Sequence, residues 1–528
     1  MNIAQTIKNH KNLVFWLLFS LGLIFLIFLQ YFGLIYYHYP VPPGHDAAMH
    51  WASARTFYDG QVELLSYIKS GAYPPGFYLI ISNLAHLFNT NTLKVMLWLT
   101  PSIIIIAAVI LFFLTNKLFG RQAALISFFL YSFATNINIQ QLNDGGYPNL
   151  IAAQILIPLL LLIIFSINFK SKPLNYILKI FIAFIIFLLI PLTHHLSTIY
   201  LLAIAIIMVP IILIYFWIKN GWKWLKGLSY LFIILVIITF GIFLLSRSDI
   251  FNSVRDLWQT AFQFSTSFPF IRIVGKADSQ AIVSSKQLAG YIGYSVFVFG
   301  CLGILILPFI KAKLKSNKYL ALLTIEVWAA ILLISSRLPF LSNPDRLARD
   351  AVFPLAILAG VFLSYLFSSY YKKNKIYFAF TLIVFLILTA IPLKSRLKNA
   401  FRYEPMVRIT DADFAAINLL KEQPKGSLLV EAYSFYFDYY LPDWEIHYYW
   451  QPETYQVTGS HALDPYYPED LINLKQYKYV YVVQKQQGWV PEGVQLGSAE
   501  KYQDNQNFQQ IAHFASKTNE IFIFKVLN

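Results

Sequence analysis

The sequence predicts a polytopic α-helical membrane protein of about eleven spans, with a small extracytoplasmic α/β domain at its C-terminal end. Three observations predict it. Of 528 residues, 57% are hydrophobic and 13% charged, and the mean hydropathy of +0.56 lies well above that of a soluble globular chain. The apolar residues fall in runs long enough to cross about 30 Å of hydrocarbon, which takes roughly 17–25 residues of helix. The cations fall between those runs, and after about Lys394 the pattern changes to strand-length apolar segments.

The first run, 13–37, is too long for the hydrophobic region of a signal peptide and lacks a small-residue cleavage site, so it is expected to stay as an anchor. Further spans are expected at 94–115, 121–138, 148–168, 176–192, 196–218, 223–245, 290–310, 319–336, 349–371 and 376–393. The segment 77–88 is apolar but short and follows "YPPG" (73–76), which suits an interfacial or re-entrant helix.

The gaps 1–12, 116–121, 169–179, 219–227, 311–318 and 372–375 contain seventeen Lys and Arg and no Asp or Glu. The positive-inside rule makes these the cytoplasmic loops. The N-terminus is then cytoplasmic and the C-terminal portion extracytoplasmic. The formal net charge of +15 is therefore a signature of topology, and nucleic acid is not an expected partner. The single cysteine, Cys301, excludes an internal disulfide framework.

The remaining gaps all face outward: 38–91, 140–149, 192–197, 246–289 and 342–350. Each polar side chain there would cost about 2.5–3.5 kcal/mol at a helix centre, and their collection at one membrane face points to a site on that face. A membrane domain over 1–393, with its first outer loop at 38–91, thus precedes an extracytoplasmic domain over 394–528. In the latter, Thr410 can cap a helix over 411–422 with Asp413 in the capping-box position, and 426–432, 478–483 and 520–526 read as buried strands. The stretch 433–455 is dense in aromatic rings, which suits stacking on sugar faces or, more commonly, docking onto the bilayer or the core.

Asp46 and His50 are four residues apart, so a helix starting near Asp46 presents both on one face. Such a carboxylate can act as a general base, or join His50 around a divalent metal. It can equally cap the helix that follows it. His194 and His195 stand at the outer end of a span, where adjacent imidazoles can pack through hydrogen bonds or face a ligand. Glu326, inside a span, reads as a buried polar contact.

The outer loop with an aspartate at its start, an aromatic helix ending in "YDG" (58–60) and then "YPPGFY" (73–78) resembles the first periplasmic loop of the GT-C superfamily. These are polyprenyl-phosphate-dependent glycosyltransferases, among them protein O-mannosyltransferases, the aminoarabinose transferase of lipid A and oligosaccharyltransferase catalytic subunits. "LTNKLFGRQAALISFFLYSF" (114–133) resembles their cytoplasmic turn after the second span, and "IFIFKV" the closing strand of their outer domain. Tyr73 stands where the K-P-P-L-Y-W stretch of the first two groups has lysine. Asp46 is followed by Ala47, where those groups carry Asp-Glu. The D-x-x-x-H spacing is instead similar to oligosaccharyltransferase subunits, in which a metal is bound, although their W-W-D-Y-G motif is absent here.

The resemblance implies a GT-C-like fold and an inverting transfer of a sugar from a polyprenyl-phosphate donor to an acceptor hydroxyl on a glycan, lipid or protein. It makes Asp46 the base, with a divalent metal (Mg or Mn) on Asp46 and His50 as an option. Asp144, in "NDGG", is the next acid, or else an Asx-turn residue. Arg346 and Arg349 in "NPDRLARD" offer planar forks for a lipid phosphate, or pair with Asp345 or Asp350. Arg272 and Lys276 are further basic candidates in the long outer loop. A transporter, a lipid-glycan flippase or a non-catalytic glycan-binding scaffold has the same span count, but repeated halves and paired broken helices are not seen in the sequence. The Ile, Lys and Asn bias suits a prokaryotic plasma (inner) membrane protein.

Overall fold

The computed structural model describes residues 3–36, 38–44, 46–69, 73–135, 142, 145–167, 173–220, 284–306, 316–337, 344–373, 375–400, 409–431, 436–448, 468–485, 498–516 and 519–527. Through residue 400 the regular structure is helical. In order come α1 (Ile3–Tyr36), α2 (Ala47–Tyr58), α3 (Leu64–Lys69), α4 (Gly76–Leu87), α5 (Thr92–Phe119), α6 (Arg121–Phe133) and α7 (Tyr147–Ile164). These are followed by α8 (Pro173–Thr193), α9 (His195–Asn220), α10 (Ser285–Ile292), α11 (Tyr294–Ile306) and α12 (Ser316–Ser335). The membrane portion closes with α13 (Pro344–Asp350), α14 (Val352–Lys373) and α15 (Lys375–Ala400).

Among the described residues, 8 helices are long and apolar enough to cross a membrane, or 9 if the bent pair α10–α11 is one span. The chain is an integral membrane protein. Two expected spans are corrected. The segment 290–310 is not one straight helix: α10 and α11 meet at 104° across Gly293. Gly293 has φ +94°, and a Cβ there would stand 1.9 Å from the Ala134 carbonyl oxygen, so a left-handed residue and a close backbone approach both demand glycine. The helix expected over 121–138 ends at Phe133 after 13 residues, about 20 Å of helix, because the chain turns away where Gly293 packs on it. The expected span 223–245 lies outside the described residues. At 12 residues, or about 18 Å, α4 is too short to cross, and it packs on α2 and α5.

Two cores hold the membrane portion together. The larger is built along α1, α5, α6, α7, α9, α11, α12 and α14 around Tyr131, Trp328 and Phe353. The second gathers α2, α4 and the starts of α5 and α7, and it includes Ile409 and Tyr436 from beyond the last membrane helix. A π-helical turn at Ala152–Leu156 interrupts α7. Its Gln154 accepts a hydrogen bond from the Tyr131 hydroxyl, and the turn begins three residues beyond Asn149.

The C-terminal unit has α16 (Asp411–Glu422), β1 (Ser427–Glu431), α17 (Phe437–Tyr440), β2 (Glu445–Tyr448), α18 (Pro468–Leu474), β3 (Tyr479–Lys485), α19 (Glu500–Gln503), β4 (Phe508–Ala515) and β5 (Glu520–Val526). The sheet order is β2-β1-β3-β5-β4, parallel across β2-β1-β3 and antiparallel across β3-β5-β4. The three strands read from sequence are the central ones, buried on both faces and therefore continuously apolar. The two that sequence missed, β2 and β4, are the edges. Exposed Gln509 and Gln510 break the apolar run of β4, and β2 is only four residues long within the aromatic stretch.

Asp413 anchors this unit as the capping box predicts. Its buried carboxylate accepts from the Thr410 N–H at 2.7 Å, the Thr410 hydroxyl at 2.6 Å, the Tyr481 hydroxyl at 2.6 Å and Asn519 Nδ2 at 3.1 Å. Burial nevertheless pushes its pKa up, against those bonds. Replacing Asp413 by Ala strands the Tyr481 and Asn519 donors in the core. Chemical denaturation followed by tyrosine fluorescence is expected to show a loss of about 3 kcal/mol, and a loss below about 1 kcal/mol counts against the hub.

Candidate active site

The chain leaves α1, turns through Tyr39–Gly44 and enters α2 at Asp46. The Asp46 carbonyl takes the His50 N–H at 3.0 Å, which starts the helix. Its carboxylate makes no capping bond to the free N–H groups of α2. It lines a hollow instead, together with Met49 and His50 one turn further on. Tyr73, from the loop before α4, forms part of the wall. Gly145, Gly146 and Asn149 contribute from the start of α7, and Arg346 and Arg349 from α13. The hollow encloses about 690 Å³ including its open mouth.

One wall is set by a close crossing. Gly145 has φ +74°, and a Cβ there would lie 2.9 Å from both the Asp46 backbone nitrogen and Cβ. Gly145→Ala is expected to push Asp46 aside and to slow any reaction that uses its carboxylate by about tenfold or more, with thermal unfolding as the control for global damage. An unchanged rate argues against a tight seat for the acid.

Electrostatically the hollow combines one carboxylate with two guanidiniums, which suits a phosphate-bearing ligand placed next to an acid. Arg349 lies over the Tyr291 ring of α10, 5.7 Å from its centroid, so the bent α10–α11 pair has a use: it delivers an aromatic platform for this arginine. Asp350 accepts from Asn149 Nδ2 at 2.9 Å, and the Asn149 side-chain Oδ1 in turn accepts from the Ser197 hydroxyl at 3.2 Å. This chain ties α13 to α7 and α9 and fixes the rotation of the turn that carries both arginines.

His50 is 4% exposed, with its Nδ1 3.1 Å from the Tyr78 hydroxyl and its ring among those of Tyr73, Phe77, Tyr78 and Tyr147. Burial raises the Tyr78 phenol well above its ordinary pKa, with Tyr67, Tyr73 and Asp46 adding to the effect. Burial also raises that of Tyr73, opposed by Arg346 and reinforced by Asp46. Both phenols therefore keep their protons at neutral pH and can donate. His194 Nδ1 stands 2.9 Å from the Ser197 hydroxyl oxygen and 3.3 Å from the Ser197 backbone nitrogen. Its pKa is held well below the ordinary value by burial, then by His195, Arg346 and His50, so the ring is neutral.

Of the residues expected from sequence, Asp46, His50, Tyr73, Arg346 and Arg349 line the one hollow. His194 and His195 do not line it; they pack on Tyr73 with ring centroids 6.2 and 5.8 Å away and buttress it from behind. Asp144, Arg272 and Lys276 lie outside the described residues. Among the described residues no group of three or more His, Cys, Asp or Glu is disposed to hold a metal ion. Asp46 and His50 supply two donors, and His50 Nδ1 faces Tyr78. Sequence reasoning missed Asn149 and Tyr78. Both stand within the "NDGGYPN" and "YPPGFY" segments it singled out, at polar positions of otherwise apolar helices.

Tyr436 and Tyr439, within the aromatic stretch 433–455, dock on α2. Both pack against Trp51, and Arg55 Nη1 donates to the Asp438 carbonyl at 3.4 Å. The C-terminal unit thereby rests on α2.

No protein-family profile and no curated protein sequence matches the chain. Solved structures do match. ArnT from Cupriavidus metallidurans, in the apo state, aligns with a TM-score of 0.58 over 98% of each chain at 13% identity. The chain has the GT-C fold. ArnT bound to undecaprenyl phosphate gives a TM-score of 0.55 over 96% of this chain and 97% of that one, at 12% identity. The apo oligosaccharyltransferase of Archaeoglobus fulgidus gives 0.55 over 87% of this chain and 69% of its own, at 14% identity. It has also been solved, as AglB, with an inhibitory peptide and a dolichol-phosphate. The arabinofuranosyltransferase AftD from Mycobacteria gives 0.51 over 96% of this chain and 41% of its own, at 12% identity. With so little sequence in common, the GT-C fold is carried here by the arrangement of helices and by the C-terminal unit. The hollow lies at the starts of α2 and α7 and along α13.

Proposed function

We propose that this protein is an inverting glycosyltransferase that moves a sugar from a polyprenyl-phosphate donor to an acceptor hydroxyl at the outer face of the membrane. The observation that carries the reading is the single hollow lined by Asp46, Arg346 and Arg349. The acceptor oxygen attacks the anomeric carbon as the Asp46 carboxylate takes its proton. The bond from that carbon to the phosphate oxygen breaks on the opposite face, and the lipid phosphate departs with the electron pair. Arg346 and Arg349 stabilise the charge that develops there. A single displacement inverts the anomeric centre. The protonated Tyr73 phenol donates to the sugar or phosphate, and His50, anchored by Tyr78, holds the acid-bearing face of α2 in place.

The shared fold with ArnT bound to undecaprenyl phosphate and with AglB bound to dolichol-phosphate supports a lipid-phosphate donor. The lysine-studded gaps support an outward-facing site. The test uses purified protein in liposomes, undecaprenyl-phosphate donors carrying labelled hexoses or pentoses, and an envelope extract as acceptor pool. Release of undecaprenyl phosphate and a product of inverted anomeric configuration are expected. A product of retained configuration, or label carried across the bilayer on an intact donor, overturns the reading; the second outcome favours a flippase.

A further inference from the structure

The outer parts of α1 and α5 and the end of α15 enclose a second hollow. Its walls are apolar, with Leu29, Leu34, Leu97 and Pro101, apart from Gln30, the Tyr39 hydroxyl and Arg396. Arg396 is 1% exposed, and its Nη1 and Nη2 have no hydrogen-bond partner among the described residues. A guanidinium keeps its charge at any physiological pH and carries five N–H donors. Burial of such a group in hydrocarbon surroundings without an anion is strongly unfavourable, and an ionisable residue inside a membrane bundle marks a site by default.

This hollow is distinct from the Asp46 pocket but backs onto it. Pro43 and Leu142 line the second hollow, whereas Asp46 and Gly145 line the first. The two loops touch between these residues: a Cβ on Gly44 would stand 2.3 Å from the Leu142 carbonyl oxygen and 2.7 Å from the Gly145 nitrogen. Arg346 and Arg349 line only the first hollow.

We propose that Arg396 holds the phosphate of a second lipid, whose hydrocarbon chain follows the seam between α1 and α15. The chemistry of the walls selects this ligand. One cation, one amide and one phenol in an otherwise apolar hollow match a phosphate attached to hydrocarbon. A free phosphate in the same place would bury most of its oxygens against leucine and proline. The outward faces of α1 and α15 continue the apolar surface, with Phe28, Ile35, Ile387 and Ile391 exposed. The proposal is independent of sugar transfer, because a lipid phosphate can sit here whatever the first pocket does.

The test is native mass spectrometry on the full chain in detergent. It is made in the R346Q/R349Q background, so that lipid held by the first pocket is not counted. The probes are phosphatidylglycerol, undecaprenyl phosphate, diacylglycerol and inorganic phosphate. Arg396→Gln is expected to lower retention of the two lipid phosphates at least fivefold, with Arg396→Lys in between and diacylglycerol held by neither. A preference for phosphatidylglycerol identifies a bilayer lipid, and a preference for undecaprenyl phosphate a carrier lipid. Equal retention by R396Q, or binding of inorganic phosphate without either lipid, overturns the proposal.

Melting curves guard against misfolding. Delipidated R396Q is expected to melt no lower than its parent, and added phosphatidylglycerol to raise the parent alone. A purely structural arginine would destabilise both states when removed. Leu97→Trp fills the hollow while keeping the cation, and it is expected to displace the lipid as well. Retention of lipid by L97W at the parent's level also overturns the proposal.

Discussion

Asp46→Asn is expected to lower the rate of sugar transfer by about 10³-fold or more, within the range by which general bases contribute, while donor-lipid binding stays within a few fold. The substitution is isosteric, and the carboxylate makes no capping bond to α2, so the helix start loses nothing. Loss of proton acceptance therefore separates from loss of structure. Single-turnover release of polyprenyl phosphate measures the first, and co-purification of donor lipid the second. A variant that retains more than about a tenth of the activity moves the base elsewhere, with Asp144 as the next residue to replace.

Arg346→Gln and Arg349→Gln carry the second-largest expected effect, a fall in kcat of about 10²–10³ for each. The charge they meet grows as the phosphate leaves, so the loss falls on kcat more than on KM. Arg349 is expected to be the less forgiving of the two toward lysine. Its guanidinium lies over Tyr291, 5.7 Å from the ring centroid, a contact that a point charge on a flexible stem reproduces poorly. Tyr291→Leu should then weaken donor use in the wild type and change little in R349K. Kinetics against donor concentration in all four proteins decide this, and an equal effect of Y291L in both backgrounds removes the platform from the account.

The parts of this molecule legible in the sequence are those written in local patterns. Apolar runs gave most of the long helices, and the four-residue spacing of Asp46 and His50 placed both at the start of α2. Thr410 and Asp413 marked the first helix of the C-terminal unit. What sequence missed depends on partners distant in the chain. The kink at Gly293 exists because Ala134 lies against it, and no local window contains both. Asn149 acquires its role from Asp350, 201 residues away. The edge strands β2 and β4 pair on one side only, so their solvent-facing positions dilute the pattern that made the central strands plain.

Trp51, 2% exposed, is clasped by Tyr436 and Tyr439, and it sits little more than one helical turn beyond Asp46. The same short rod therefore has the acid at one end and the seat of the C-terminal unit along its length. Any shift of that unit against Trp51 would have to pass through the helix that carries the carboxylate.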